Sequence, residues 1–335
     1  MMASEADVSS SWGRLNLSPL WENRAAHNLD KDGPERAHLW RWQEMQPAIE
    51  QALAMKSVEA IERRVLSLVS PHSPEVAGQA GTTLNLNAGL QILKPGETAR
   101  PHRHSMSALR FVLKGEGAVT AVDGKECAMS EFDLVTTPGW CWHEHIHRGA
   151  APIIWLDVLD ASLHRYFGTD RFQPGPGNNI PDVPQDVAFE QAGMVPENAG
   201  PHRSHSPLFR YPYAQAAAAV AVAPAGKDGA RKVRYANPLD GGPIMIALDC
   251  YLSELDKGLE TRNFRSTANA VCAVVSGEGT SQIGGQTISW GPRDVFSLPR
   301  GNWISHKAAS TSQLFICTDR DVLRRLEMLT EEWDG

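Results

Sequence analysis

Gly115-Glu116-Gly117 returns as Gly277-Glu278-Gly279 after 162 residues. Asp133-Leu134-Val135-Thr136-Thr137-Pro138 returns as Asp294-Val295-Phe296-Ser297-Leu298-Pro299 after 161, and Trp142 returns as Trp303 at the same offset. A constant offset shared by turns, apolar runs and a tryptophan marks a duplicated unit. Within each copy the runs are strand-sized and cut by turn residues, among them Gly96, Asp123-Gly124 and Pro138-Gly139. The spacing predicts two small all-β barrels or sandwiches, and 335 residues suffice for two cores. Ahead of them, Pro47 is expected to open a helix with Ala48, Ile49, Ala52 and Leu53 on one face. Val65-x-Ser67-x-Val69 reads as a strand ending at Pro71. Seven prolines between 174 and 207 suggest an inter-domain linker, and Val322, Leu323, Leu326 and Leu329 suggest a closing amphipathic helix.

Net charge is −7 with no Lys/Arg block, which argues against a nucleic-acid partner. The longest apolar tract, Ala214–Val222, is too short to span a bilayer, and the opening residues lack the apolar core of a signal peptide. Five cysteines (Cys127, Cys141, Cys250, Cys272, Cys317) are odd in number and contain no C-x-x-C pair. They fit reduced thiols in a cytoplasmic protein without a membrane partner.

Five of twelve histidines form two groups, His102-x-His104 and His143-x-His145-x-His147. On a strand, residues i and i+2 face the same side, so each group projects its imidazoles together. Two such groups on one small barrel can converge on a metal ion. Periodicity leaves open which of 143, 145 and 147 completes the site. Arg110, six residues after His104, shares its face and could clamp an anion.

Gly96-x5-His102-x-His104 before Gly115, and Pro138-x4-His143, resemble the two cupin motifs. The longer string is Gly89-Leu90-Gln91, Pro101-His102-Arg103-His104-Ser105-x-Ser107-Ala108-Leu109-Arg110-Phe111, Thr137-Pro138-x-Trp140-x-Trp142-His143-x-His145 and Trp155-Leu156-Asp157. It resembles the bicupin ring-cleaving dioxygenases typified by gentisate 1,2-dioxygenase, with salicylate and 1-hydroxy-2-naphthoate dioxygenases as relatives. The resemblance implies two tandem jelly-roll barrels: an N-terminal helical extension (1–75), a catalytic cupin (76–170), a Pro-rich linker (171–210) and a second cupin with a C-terminal helix (211–335).

By resemblance, His102, His104 and His143 hold Fe(II), one per subunit. Ala108 and Leu109 stand where many cupins place a glutamate, so three neutral ligands leave three positions of an octahedral ion for a bidentate substrate and O2. The resemblance gives Arg110 the substrate carboxylate, His145 the phenolic oxygen, and pocket positions to Gln91 and Asp157. An arginine of the Arg63-Arg64 pair assists, with Arg64 preferred. Asn87 stands where the family tends to carry an aromatic residue, which implies an altered ring pocket. The implied activity opens a 2-hydroxybenzoate between C1 and C2, with gentisate (giving maleylpyruvate) or a 5-nitro-, 5-amino- or 5-halosalicylate as substrate, in aromatic catabolism by a homotetramer. Alternatives are a 1-hydroxy-2-naphthoate dioxygenase, a metal-dependent isomerase, or a binding module. In the second copy the ligand positions hold Phe264, Ser266 and Ile304, and His306 aligns with His145, so that barrel is expected to be structural.

Overall fold

The computed structural model describes residues 35–55, 62–175, 186–191, 193–199 and 204–334. The part of the expected N-terminal extension before residue 35, and stretches of the linker, lie outside the described residues. Two antiparallel barrels follow the duplicated pattern. In the first, a six-stranded sheet runs in the order Arg210–Tyr211, Leu134–Thr137, Ala108–Lys114, Ile153–Leu159, Asn87–Leu93 and Val65–Leu68. Its partner is a five-stranded sheet of Phe172–Pro174, Thr98–His104, His143–His147, Ala118–Val122 and Lys125–Met129. The second barrel repeats this strand order, with Leu39–Trp40, Val295–Leu298, Ala270–Ser276, Ser312–Thr318, Asp249–Leu255 and Arg231–Arg234 in its larger sheet.

The larger sheets are apolar on both faces, because each is buried on both sides. Along Ala108–Lys114, Val112 joins the core inside the first barrel, while Leu109, Phe111 and Leu113 join a cluster reaching Leu252, Val271, Ala273 and Phe315 of the second. Phe111 stacks on Phe315 with ring centroids 3.9 Å apart and planes 7° from parallel. The Gly-Glu-Gly turns are glycine for steric reasons. Gly115 and Gly277 have φ of +94° and +82°, and a Cβ at Gly277 would sit 2.6 Å from the Thr311 carbonyl oxygen.

Each barrel takes its edge strand from the segment that precedes the other barrel. Leu39–Trp40 pairs with Val295 and Phe296, and Arg210–Tyr211 pairs with Leu134 and Val135. A helix follows each strand, Trp42–Ala54 and Tyr213–Val222. Its first N–H is accepted by the aspartate of the repeated motif: Trp42 donates to Asp294 Oδ1 (2.7 Å) and Tyr213 to Asp133 Oδ1 (2.9 Å). These carboxylates satisfy amides that a helix start leaves unpaired.

Several local expectations need correction. The first helix begins at Trp42 and contains Pro47, because the Asp294 cap starts it upstream; Ile49 and Ala52 are buried while Ala48 is exposed. The strand expected here is present as Val65–Leu68, with Leu66 and Leu68 packed against the inter-barrel core and Val65 exposed. The tail helix is only Arg320–Arg325, and the chain returns as a strand, Glu331–Trp333, on Phe264–Ser266. The same helix-then-strand sequence, Ala161–Phe167 and Phe172–Pro174, ends the first barrel, so the duplication extends through both tails. No helix among the described residues is long and apolar enough to cross a membrane.

Phe111→Ala should cost about 3–5 kcal/mol, the range for emptying a buried aromatic site. Because the ring belongs to both barrels, urea unfolding followed at either barrel should shift together; a shift confined to one would contradict a shared core.

Candidate active site

His102 and His104 lie on Thr98–His104, and His143 lies on the adjacent antiparallel strand directly across from His102. The three rings converge: centroids are 4.1 Å apart for His102 and His143, and 4.8 Å for His104 and His143. One nitrogen from each lies within 4.8 Å of the others, all three residues being buried. The local backbone fixes their tautomers. Nδ1 of His102, His104 and His143 meets the carbonyl oxygens of Arg100 (2.9 Å), Met106 (2.7 Å) and Cys141 (3.0 Å). A carbonyl only accepts, so each Nδ1 carries the hydrogen and each Nε2 presents a lone pair.

The Nε2 atoms of His102 and His143 are buried without a hydrogen-bond partner. Burial, then Arg63, pushes His102 down to about 3; burial, then Arg110, pushes His104 down to about 4 and His143 well below its ordinary value. Neutral imidazoles with converging lone pairs fit a divalent metal ion, and the triad is able to bind one.

The facing sheet supplies polar groups of the opposite kind. Arg110 is fully buried, and burial lowers its pKa to about 10, so it remains a cation at neutral pH. It donates to the Thr137 hydroxyl, and its Nε, 3.7 Å from Asp157 Oδ1, has no hydrogen-bond partner. Asp157 sits across the sheet from Arg110 and accepts from Trp155 Nε1 (2.9 Å). Burial raises its carboxyl from 3.8 to about 6 against the opposing pull of Arg110. Gln91, two strands over, is buried with Nε2 unpaired. His145 sits against this group, its ring centroid 5.2 Å from that of Trp155 with the planes tilted by 51°, and its Nδ1 is 2.8 Å from the Thr120 hydroxyl. The same hydroxyl lies 3.1 Å from Met129 Sδ; with its hydrogen turned there it accepts from His145 Nδ1–H, the tautomer that presents the Nε2 lone pair.

Two expected members lie elsewhere. Arg64 makes a two-pronged ion pair with Glu97, at 2.7 and 2.8 Å, beneath the strand rather than in the pocket. Its neighbour Arg63 points the other way, with its guanidinium 5.1 Å from the Phe172 ring centroid; Phe172 in turn stacks on His102 at 5.4 Å. Arg63 also acts electrostatically on His102, Arg110 and Asp157. Adjacent residues in extended backbone face opposite sides, so only one of the pair could reach the site. Asn87 Oδ1 is taken up by the amide and hydroxyl of Ser162, at 2.9 Å each, at the start of the short helix. His147 is satisfied internally: Nε2–H donates to the Ala151 carbonyl (2.7 Å) and Nδ1 accepts from Gly149 N–H. Trp140 is 42% exposed and, with Trp142, clasps the Arg103 guanidinium, so neither is core.

Thr120, Thr137 and Phe172 escaped the sequence reading. Thr120 had a signal, since Ser281 stands 161 residues later and also meets a histidine, His306, at 2.7 Å. At the second barrel's ligand positions, Phe264 pairs with Ile304 just as His102 pairs with His143.

Comparison with known proteins agrees with this geometry. The chain is 34% identical over 321 residues to gentisate 1,2 dioxygenase 1 of Aquipseudomonas alcaligenes, covering 93% of this chain and 91% of that protein. The chain belongs to the gentisate 1,2-dioxygenase family. The 5-aminosalicylate 1,2-dioxygenase of a Comamonas species is 32% identical, over 95% of this chain and 87% of its own length. The crystal structure of salicylate 1,2-dioxygenase from Pseudoaminobacter salicylatoxidans with gentisate superposes with a TM-score of 0.90 at 26% identity, covering 100% of this chain and 96% of that one. The cupin domain family matches residues 89–159, inside the barrel that holds the histidine triad. The chain is accordingly a ring-cleaving dioxygenase with a cupin fold.

Two outcomes follow from the pocket. Arg64→Ala takes the guanidinium from the buried Glu97 carboxylate, which keeps the Lys94 N–H (2.7 Å) and the Lys94 ammonium (3.7 Å), and should cost about 1.5–3 kcal/mol in chemical denaturation; Arg63→Ala should leave stability nearly unchanged. A raised Asp157 pKa means that the folded chain keeps a proton which the unfolded chain has released. Its contribution to stability therefore falls as pH climbs from about 4 to about 6 and is flat above. Melting curves of Asp157→Asn should lack that part of the wild-type decline.

Proposed function

We propose that this chain is an Fe(II)-dependent dioxygenase that opens a monocyclic 2-hydroxybenzoate, gentisate or a 5-substituted salicylate, between the carboxyl-bearing C1 and the hydroxyl-bearing C2. The observation that supports this most is the pairing of three neutral imidazole lone pairs with a buried guanidinium whose Nε is unpaired. A substrate with a carboxylate beside a phenolic oxygen satisfies both. The relatives named above act, by name, on gentisate and 5-aminosalicylate, which share that arrangement.

Arg63 and Arg110 outnumber Asp157, so the pocket favours an anion. Arg110 would hold the carboxylate through its fork, kept in plane by Thr137 and Asp157. The unprotonated Nε2 of His145 would take the proton of the 2-hydroxyl, with Thr120 fixing the ring. Trp155 and Phe172 would wall the ring from water. Fe(II) on His102, His104 and His143 would supply the electron exchange by which O2 reacts with the ring, both oxygen atoms entering the product. The five buried free cysteines suit the reducing cytoplasm, and family likeness suggests a homotetramer.

The decisive test is O2 uptake by anaerobically Fe(II)-reconstituted protein with gentisate, salicylate and 5-nitro-, 5-amino- and 5-halosalicylates. One O2 consumed per ring lost is expected; no uptake with any of them, despite bound iron, would overturn the reading. His102→Ala should abolish both iron retention and turnover. Arg110→Ala should lower kcat/KM by about tenfold to a hundredfold, the worth of hydrogen bonds to a charged group.

A further inference from the structure

The second barrel encloses a cavity of about 400 Å³ where the first holds its polar pocket. Position by position, the charged machinery has been replaced. Phe264, Ser266 and Ile304 stand for the triad. The Arg110–Asp157 pair becomes Cys272 opposite Ile316, and Leu298 opposes Ala270 where Thr137 opposes Ala108. One element survives: His306 lines the cavity, with Nδ1 2.7 Å from the Ser281 hydroxyl.

The survivor's polarity is fixed by its neighbours. In the first barrel the Thr120 hydroxyl lies between His145 Nδ1 and Met129 Sδ and can turn its hydrogen to either. In the second, Trp290 replaces that methionine, and its Nε1–H donates to Ser281 Oγ (2.9 Å). Ser281 is wholly buried, so its own hydrogen has a partner only in His306 Nδ1. His306 Nε2 therefore carries the hydrogen and is a donor, with no partner among the described residues. At the rim, Lys232 pairs with Asp228 (3.1 Å), Arg320 with Glu331 (2.7 Å) and Arg262 with Asp334 (3.8 Å), so each of the three rim cations already has a carboxylate partner. Trp333, on the returning tail strand, packs on Phe264 at 4.6 Å and covers the cavity wall, as Phe172 covers His102.

We propose that the second barrel is a binding site for an uncharged, largely apolar molecule of one aromatic ring that carries a single hydrogen-bond acceptor, received by His306 Nε2–H. The volume lies within the range of small-molecule pockets. The missing anion clamp sets the preference: a carboxylate entering here would lose its hydration with no buried counterpart of Arg110 to receive it, the rim cations being already paired.

The test is calorimetric titration of the full-length, iron-loaded chain with acetophenone, ethylbenzene and benzoate. Acetophenone should bind at one site per chain, at least tenfold tighter than benzoate. His306→Phe should weaken acetophenone about two- to tenfold, the worth of one neutral hydrogen bond, and leave ethylbenzene unchanged. Ile304→Trp should fill the cavity and abolish both. Should either variant fail to fold, ring resonances of ¹⁵N-histidine-labelled wild-type protein supply the readout: acetophenone must perturb one histidine Nε2–H that ethylbenzene leaves in place. Absence of saturable acetophenone binding, benzoate binding as tightly, or acetophenone binding lost in Arg110→Ala would overturn the proposal. The site is independent of oxygenase activity, so a chain inactive toward every hydroxybenzoate would still bind acetophenone.

Discussion

The two larger sheets face each other across one apolar layer, and most of the architecture depends on that contact. Leu109, Phe111 and Leu113 project from the strand that also carries Arg110 inward, so one strand serves both the interface and the pocket. Strand alternation makes this possible: odd positions meet the second barrel, even positions face the site. Arg293 of the second barrel adds a polar tie, donating to the Leu113 carbonyl at 2.8 Å. A second barrel that has given up its metal ligands is thus still required, since without it the outer face of the catalytic sheet would lie open to water.

Within the pocket, direction is set by backbone. Three main-chain carbonyls, each two residues from its histidine, hold the Nδ1–H groups, so the Nε2 atoms converge without help from a carboxylate. The acid of the facing sheet, Asp157, is occupied by Trp155 and Arg110 on the opposite wall. The imidazole triad and the Arg110 guanidinium are thereby kept on separate sheets of the one barrel.

Much of this was legible in the sequence. The 161-residue offset gave the duplication, and parity placed His102, His104 and Arg110 inside. What stayed hidden depended on contacts between distant segments. Arg63 and Arg64 differ by half a pleat, and only the pairing of Val65 with Gln91 decides which one turns inward. Helix start at Trp42 depends on Asp294, 252 residues away, which no local propensity reports. Asn87, expected at the ring pocket, has its oxygen held by Ser162 at the start of the helix Ala161–Phe167, a contact 75 residues away in the chain.

The exchanged arms bear on how such a chain could change over evolutionary time. Each strand-and-helix arm is encoded ahead of one barrel and completes the other. Once duplicated copies traded arms, neither half could be shed. A chain cut back to the first barrel would lose Arg210–Tyr211 and bare the backbone of Leu134–Thr137, a sticky margin open to any passing strand. Shedding the catalytic half would bare Val295–Leu298 in the same way. The second copy is therefore retained by connectivity, and its outline is fixed whatever its interior holds.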